Sequence, residues 1–217
     1  DAALQILSLT QADNRDYCTC KSCKAVDDAN GSPAGSMITF VNRIAGEVKA
    51  AGYDNVMIDT FAYQYTRPAP TAVIPEDNVI VRLCTIECCF AHTLDDTDCP
   101  ENASLMEDLF DWGRIAKNIS IWDYTTNYAY TFGIFPDFNV IQRNMQIFYE
   151  NSAMGVYEEG AYYMDCCNTE FGELRSYLLS RLLLDPYCDL EAEALGIIAG
   201  RQNGNQLDVA AIAAAAV

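Results

Sequence analysis

Short apolar runs alternate with longer segments of helical periodicity along most of the chain. The predicted strands are short and rich in β-branched and other apolar residues, and they cover residues 4–10, 55–61, 79–85, 119–123 and 154–157. The predicted helices repeat apolar residues three and four positions apart, over residues 36–51, 104–117, 140–150 and 170–184. A cysteine-rich loop is predicted between the first strand and the first helix. Because strands alternate with helices, the pattern predicts an α/β fold with a parallel sheet.

Reactive side chains gather where the predicted strands end. The third strand shows this best, because residues 78–92 (NVIVRLCTIECCFAH) end in a carboxylate, two adjacent cysteines and the only histidine. In parallel α/β proteins the loops that leave the carboxyl ends of the strands form the open face that carries chemistry. The alternative for this segment alone is a buried strand followed by a surface glutamate.

Composition and charge narrow the class of protein. The chain has 217 residues, of which 51% are hydrophobic and 11% aromatic, so a globular core is expected. A formal net charge of -18 argues against a nucleic acid or an anionic membrane as partner, since either requires a basic patch. No apolar run approaches the roughly 18 residues of a membrane span.

The ten cysteines favour an oxidising compartment, so the protein is expected to be secreted, extracellular or periplasmic. Asn-x-Ser triplets at Asn30, Asn102 and Asn118 would accept glycans in a eukaryotic secretory route. Such short triplets also arise by chance.

The strand exits, read together, form a series of short motifs in one order. They are QADN, IDTFAYQYT, NVIVRLCTIECCFAH, IWDYTTNY, FPDF, GVYEEGAY and FGELRSYLLSRLLLDP. The series closely resembles an uncharacterised family of bacterial proteins, a domain of unknown function related to α-glucuronidase-like and hexosaminidase-like glycoside hydrolases. The resemblance covers about residues 5–187.

The resemblance implies a (β/α)8 barrel of the TIM-barrel type in a secreted carbohydrate-processing or carbohydrate-binding protein. The chain would cover about the last five βα units, with residues 1–187 forming the C-terminal part of the barrel. Residues 188–217 form a C-terminal helix and an alanine-rich tail to which no function is assigned. Five strands leave two open sheet edges, which further residues of a longer chain or a partner chain are expected to cover.

Glycoside hydrolysis usually uses two carboxyl groups on either side of the scissile bond. The predicted catalytic residues are Asp123, Glu158, Glu159 and Glu87. Asp123 and Glu158 lead this set, because the resemblance places an acid at both positions. The family commonly has glutamine at the position of Glu159, and it tolerates other residues at that of Glu87. Each of these acids, taken singly, is also typical of a solvated loop or a helix cap.

Sugar rings present flat apolar faces and hydroxyl edges, so a sugar site needs aromatic side chains beside amide and carboxyl groups. The predicted substrate-binding residues are Asp13, Asp59, Tyr63, Tyr65, Trp122, Tyr124, Asn127 and Tyr162. The tyrosines are also explained by ordinary packing at a barrel rim. Arg82 lies within a predicted strand, and we expect it to pair with one of the acids inside the barrel. Because few basic residues lie near the strand exits, neutral sugars are favoured over uronides.

The sharpest local motif is Cys18-x-Cys20-x-x-Cys23. It would supply three of the four ligands of a structural zinc ion, and the candidates to complete such a site are Cys88, Cys89, His92 and Cys99. Disulfides that brace neighbouring loops are the favoured alternative, and free thiols are a third. A Cys-His nucleophile pair built on His92 lacks a visible orienting partner. The predicted hydrolysis requires no cofactor.

The leading hypothesis is therefore a glycoside hydrolase-like domain that acts on extracellular glycans through carboxylates at the strand ends. Its first rival is a noncatalytic barrel that binds carbohydrate through its aromatic rim. Its second rival is a structural or assembly protein that reuses the fold, because fold alone does not determine function. Whether the protein is an enzyme stays open at this level.

Overall fold

A computed structural model describes residues 3–128, 133–160 and 171–202. It confirms the predicted α/β fold with a parallel sheet. The strands are β1 (Gln5–Ser8), β2 (Val56–Ala62), β3 (Val79–Cys84), β4 (Asn118–Tyr124) and β5 (Val156–Glu159). Each strand pairs in parallel with the next one along the chain, in the order β1-β2-β3-β4-β5. The sheet curls into a half barrel that alternates with helices.

The helices follow the predicted positions with one addition. They are α1 (Lys21–Asn30), α2 (Ala34–Ala50), α3 (Pro100–Ile115), α4 (Ile141–Glu150), α5 (Gly172–Leu184) and α6 (Leu190–Gln202), with a 3-10 turn at Gln64–Thr66. Helix α6 contacts α5 through an ion pair of 2.8 Å between Arg181 and Glu193. The alanine-rich tail from residue 203 lies outside the described residues.

Helix α1 corrects the prediction of a continuous cysteine-rich loop. Its sequence is mostly polar and lacks the apolar stripe that marks a surface helix. Tertiary hydrogen bonds stabilise it instead, because buried Asp27 accepts the Ser36 N–H at 2.9 Å and Asn30 accepts the Val73 N–H at 2.9 Å. Gly31 ends the helix with φ of 68°, in the left-handed region that glycine adopts easily.

The two faces of the sheet have different neighbours, because successive side chains of a strand point to opposite faces. Val81 and Leu83 of β3 and Ile119 and Ile121 of β4 belong to the buried core. This core also contains residues of the surrounding helices, such as Trp112 of α3. The alternate positions face the concave side of the half barrel, where the side chains are mostly polar or aromatic. The convex face is therefore the packing face, and the concave face is the one open to chemistry.

Both edge strands lack a second strand neighbour within the part of the chain that the structure describes. At the β1 edge, Leu4, Ile6 and Leu7 are 56%, 46% and 53% exposed. An apolar edge of this kind is normally covered in a stable assembly. That further residues or a partner chain cover it stays a prediction.

Among the described residues, no helix combines the length and apolar character needed to cross a membrane.

Candidate functional site at the concave mouth of the sheet

An open cavity of about 530 Å³ lies on the concave face, where the strands end. Its volume falls within the range of about 300–1,000 Å³ that is usual for small-molecule sites. Its walls combine aromatic, apolar and polar side chains. The lining residues are Gln11, Asp13, Phe61, Tyr63, Cys84, Ile86, Trp122, Tyr124, Tyr128 and Glu159.

Trp122 and Glu159 form the best-defined contact of the cavity. The indole Nε1–H of Trp122, on β4, donates a hydrogen bond of 2.6 Å to Oε2 of Glu159, the last residue of β5. The indole is itself held by edge-on contacts with the rings of Phe61 and Tyr157, whose centroids lie 5.4 Å and 4.6 Å away. A packed indole that donates to one carboxylate oxygen fixes the orientation of that carboxylate.

A second carboxylate, that of Asp13, lies on the wall contributed by the loop after β1. The Tyr63 hydroxyl donates to Asp13 Oδ1 at 2.8 Å and accepts a bond of 2.9 Å from Gln64 Nε2. Gln11 Nε2 donates to the Tyr63 carbonyl at 2.9 Å, and the Thr66 hydroxyl donates to Gln11 Oε1 at 2.6 Å. Burial, and then the adjacent Asp13, raises the pKa of Tyr63 to about 12. Tyr63 is therefore a neutral hydrogen-bond donor at physiological pH.

Beneath Trp122 an ion pair joins β2 and β3. Arg82 contacts Asp59 Oδ2 at 2.6 Å, and its Nε–H donates to the Ser120 hydroxyl at 3.3 Å. The guanidinium carbon of Arg82 lies 5.8 Å from the centre of the Trp122 ring. This confirms the expected pairing of Arg82 with an acid inside the sheet. Because Asp59 is 0% exposed and committed to Arg82, it lies behind the cavity wall rather than on its surface.

Asp123 and Glu158 are adjacent in sequence to residues that line the cavity, but they lie on the other face of the sheet. They are register partners on β4 and β5, with the same strand parity as the core residue Ile121 and as Val156, which packs against the core. The Thr85 hydroxyl donates a short hydrogen bond to Asp123 Oδ1. The structure thus places the two leading catalytic candidates together, but among the side chains between sheet and helices.

Burial raises the pKa of both carboxyl groups of this pair. It raises the pKa of Asp123 from 3.8 to about 6, although hydrogen bonds from Thr85 and from the Tyr124 N–H act in the opposite direction. Burial, and then the charge of Asp123, raises the pKa of Glu158 well above its ordinary value. The pair is therefore expected to hold a proton at pH values where exposed carboxyl groups are ionised.

The remaining predicted residues that the structure describes do not line the cavity. Glu87 contacts Arg67 at 3.4 Å, and Tyr65 stacks on Tyr17 with ring centroids 4.9 Å apart. Asn127 is half-buried in the loop after β4. Tyr162 lies outside the described residues. Of the predicted site residues, the cavity thus contains Asp13, Tyr63, Trp122, Tyr124 and Glu159.

The sequence prediction missed half of the cavity lining. The missed residues are Gln11, Phe61, Cys84, Ile86 and Tyr128. Strand alternation could have identified three of them: Phe61 lies two positions after Asp59, and Cys84 and Ile86 continue the parity of Arg82. Burial raises the pKa of Cys84 to about 12, so this cysteine is a protonated thiol and a poor nucleophile.

The first cysteine cluster forms as its spacing predicts. The sulfur atoms of Cys18, Cys20 and Cys23 all lie within 4.8 Å of one another, at the start of α1. Hydrogen bonds from the Cys23 N–H and the Cys18 thiol are the main causes that lower the pKa of Cys20 to about 7. The Cys18 thiol is the main cause that raises the pKa of Cys23 to about 11.

The groups expected to complete that cluster form a separate one. Ligand atoms of Cys89, His92 and Cys99 lie within 4.8 Å of one another, in the segment between β3 and α3. Cys88 belongs to neither cluster: it packs against the core, and burial raises the pKa of its thiol. No disulfide bond joins any of the eight cysteines within the described ranges of this structure. Zinc and disulfides both stay predictions for the two clusters.

Comparison with known proteins identifies one family. A family model described as "Domain of unknown function (DUF4838)" matches residues 1–195. No curated protein and no solved structure matches the chain. Neither substrate nor reaction can be taken from a relative, so both have to be argued from the cavity itself.

Proposed function

The chain belongs to the DUF4838 family, a family of unknown function, and from its site we propose that the concave cavity binds a carbohydrate and hydrolyses its glycosidic bond. The observation that carries this proposal is the Glu159 carboxylate, held by the Trp122 indole at 2.6 Å in the wall of an open aromatic cavity. A fixed carboxylate beside flat aromatic surfaces is the arrangement that sugar chemistry requires.

Carbohydrate binding is supported by the composition of the cavity walls. Phe61, Trp122 and Tyr124 offer apolar ring surfaces that suit the flat face of a sugar. The Gln11 amide and the Tyr63 hydroxyl lie on the same walls and suit hydroxyl edges. No lysine or arginine is among the ten described residues that line the cavity, so we propose a neutral sugar rather than a uronide.

Hydrolysis requires two carboxyl groups, and the cavity wall contains Glu159 and Asp13. They come from the two edge strands of the sheet, since Glu159 is the last residue of β5 and Asp13 follows β1. One carboxyl group would protonate the leaving glycosidic oxygen, and the other would activate water or attack the anomeric carbon. No metal or organic cofactor is needed for this reaction.

This assignment moves the chemistry from Asp123 and Glu158 to a neighbouring residue. Glu158 and Glu159 are adjacent in sequence but project to opposite faces of β5. Only Glu159 lines the cavity. The sequence-based prediction of Asp123 and Glu158 as the catalytic pair stays an alternative that the same experiment tests.

The deciding experiment compares Glu159→Gln with Glu158→Gln, a matched pair of isosteric changes one residue apart. Both variants and the wild type are assayed on a panel of aryl glycosides and polysaccharides. We expect Glu159→Gln to lower turnover by at least ~100-fold, the usual contribution of a general acid or base. Saccharide binding, measured by calorimetry, should persist in this variant, and Glu158→Gln should keep wild-type turnover. Lost turnover in Glu158→Gln together with normal turnover in Glu159→Gln would overturn our assignment.

One observation favours the noncatalytic alternative as the second candidate. Asp13 accepts the Tyr63 hydroxyl at 2.8 Å, so one of the two carboxylates is already engaged in a structural contact. A protein that binds saccharide without turnover, and loses that binding in Trp122→Ala, would be a carbohydrate-binding module. A protein that does neither would refute both candidates and favour the structural or assembly role.

Secretion and coverage of the β1 edge belong to the same proposal. A carbohydrate-active protein with ten cysteines suits an oxidising, extracytoplasmic compartment. Further strands beside β1 would bury Ile6 and Leu7 and extend the cavity wall next to Asp13. The native mass of the assembly tests whether the β1 edge is covered, and the location of the protein in its source cells tests secretion.

A further inference from the structure

A compact set of metal-binding side chains lies in the segment between β3 and α3, outside the cavity lining. Cys89 Sγ and His92 Nδ1 are 3.2 Å apart, and Cys99 Sγ lies within 4.8 Å of both. We propose that these three residues bind a zinc ion that fixes the segment. This site is separate from the Cys18, Cys20 and Cys23 cluster, and it does not depend on the proposed hydrolysis.

A buried asparagine pre-organises two of the three ligands. Asn102, on α3, is 0% exposed. Its Nδ2 donates to the carbonyls of Cys89, His92 and Thr93 at 3.1, 3.1 and 3.0 Å, and its Oδ1 accepts the Cys89 N–H at 2.8 Å. The backbone of Cys89 and His92 is thus tied to the start of a helix. Such outer contacts are typical of metal sites, in which they orient the ligands.

The third ligand and the intervening chain are anchored as well. Cys99 immediately precedes α3, and its N–H donates to the Asp96 carbonyl at 3.2 Å. Leu94 is 1% exposed, and its N–H donates to Asn144 Oδ1 at 2.9 Å. Hydrogen bonds therefore anchor the backbone of both chain segments that supply ligands, while the His92 side chain itself is exposed.

The donor set selects the class of metal. Two thiolates and an imidazole suit zinc, whereas magnesium and calcium prefer oxygen ligands. Zinc needs four ligands in a tetrahedron at about 2.0–2.3 Å, and the present spacing requires only small side-chain movements to reach it. Glu101 Oε2 lies 3.6 Å from Cys99 Sγ and is placed to supply the fourth ligand. Binding would release the thiol protons of Cys89 and Cys99.

A zinc ion at this site would restrain one wall of the cavity through the polypeptide that connects Cys89 to the cavity residue Ile86. Ile86 lines the cavity three residues before Cys89, and Phe90 packs on Phe135 with ring centroids 5.0 Å apart. Fixing Cys89 to α3 would thus restrain the strand exit that forms one cavity wall. We assign the ion a structural role, since none of its three ligands is among the cavity residues.

The test loads the full chain, purified under a thiol-free reductant, with Zn²⁺ or Co²⁺. The variants are Cys99→Ser and His92→Asn, and Cys188→Ser is the control because Cys188 is a half-buried cysteine outside both clusters. Zinc is measured by mass spectrometry after gel filtration, and Co²⁺ binding by its sulfur charge-transfer and tetrahedral ligand-field bands. Cys18→Ser separates any ion held by the other cluster. Circular dichroism checks that each variant is folded.

We expect Cys99→Ser and His92→Asn each to lose one equivalent of zinc and the matching cobalt bands, while Cys188→Ser keeps them. Zinc stoichiometry equal to wild type in both ligand variants would overturn the proposal. A Cys89–Cys99 disulfide in the protein from its native source, found by peptide mapping without reduction, would also overturn it. The wild-type cobalt spectrum keeps the test decisive even if a variant fails to fold, since a spectrum without thiolate bands contradicts the site directly.

Discussion

Asp123 and Glu158 lie opposite each other on β4 and β5, on the helix-facing side of the sheet, where Asp123 is buried and Glu158 is half-buried. Thr85 donates a hydrogen bond to Asp123. Among the described residues, Glu158 Oε2 has no hydrogen-bond partner. Burial and the charge of Asp123 both disfavour the ionised form of Glu158, so a proton held by the pair stabilises the arrangement.

This pair predicts a pH dependence of stability with a definite sign. The folded pKa of Asp123, about 6, is higher than its ordinary value of 3.8. Between these values the folded chain keeps a proton that the unfolded chain has released. The stabilisation is therefore complete below pH ~4 and is lost as the pH rises through ~6, at up to ~1.4 kcal/mol per pH unit.

Asp123→Asn removes this titration while its amide oxygen still accepts the Thr85 hydroxyl. Relative to wild type, we expect its free energy of unfolding to gain ~2 kcal/mol between pH ~4 and pH ~7. Urea unfolding across this range measures the gain. Asp54→Asn, at an exposed aspartate, is the control and should stay parallel to wild type. A difference between Asp123→Asn and wild type that does not change with pH would contradict the shared proton.

The ion pair between Asp59 and Arg82 predicts an asymmetric response to mutation. Asp59 is 0% exposed, so Arg82→Met would leave a buried carboxylate without its counter-charge. We expect a loss of ~3–5 kcal/mol in the free energy of unfolding, measured with urea. The double variant Asp59→Leu/Arg82→Met should recover most of this loss, because it removes both buried charges. A double variant no more stable than Arg82→Met would show that packing, not charge, makes this pair important.

Removal of the buried Asn102 side chain is expected to lower the free energy of unfolding substantially. Asn102→Ala would remove one acceptor and three donor contacts beneath the Cys89–Thr93 segment, and we expect a loss of ~3 kcal/mol on thermal or urea unfolding. Asn42→Ala is a matched control, since Asn42 also bridges two backbone groups but through contacts that are exposed to solvent. It should lose less than ~1 kcal/mol, because water replaces its partners. Equal losses in the two variants would contradict the role of burial.

Sequence reasoning located the strand exits but could not assign their faces. The order of strands and most helices followed from apolar periodicity, and Arg82 was correctly expected to pair with an internal acid. The face occupied by Glu158 or Glu159 depends on one residue of register, and a shift of one position exchanges the two. Two adjacent glutamates at the end of a four-residue strand carry no signal that separates these alternatives.

Tertiary contacts explain the other misses. Asn102 heads an Asn-x-Ser triplet and was considered as a glycan acceptor, yet its side chain is 0% exposed and ties down a neighbouring segment. The triplet gives no information on burial. Helix α1 was missed because its stabilising partners, such as Ser36 and Val73, lie outside its own sequence. The separation of Cys18, Cys20 and Cys23 from Cys89, His92 and Cys99 likewise depends on distances across separate loops.

The contact between Trp122 and Glu159 predicts a selective loss of turnover, provided that the protein hydrolyses glycosides as proposed. Trp122→Phe keeps an apolar ring between Phe61 and Tyr157 but removes the Nε1–H that holds Glu159 Oε2 at 2.6 Å. We expect kcat to fall ~10-fold or more, because a misoriented carboxylate spends less time in the reactive geometry. KM and saccharide affinity should change only a few-fold, since the stacking surface remains.

Tyr157→Phe is the matched control for this change. The ring of Tyr157 contacts the Trp122 indole, while Glu159 receives its hydrogen bond from Trp122. Tyr157→Phe should therefore keep both kcat and KM close to wild type. If Trp122→Phe instead raised KM and left kcat unchanged, the indole would serve as a sugar platform alone. Glu159 would then owe its orientation to the backbone at the end of β5, where Thr125 N–H donates to the Glu159 carbonyl at 2.9 Å.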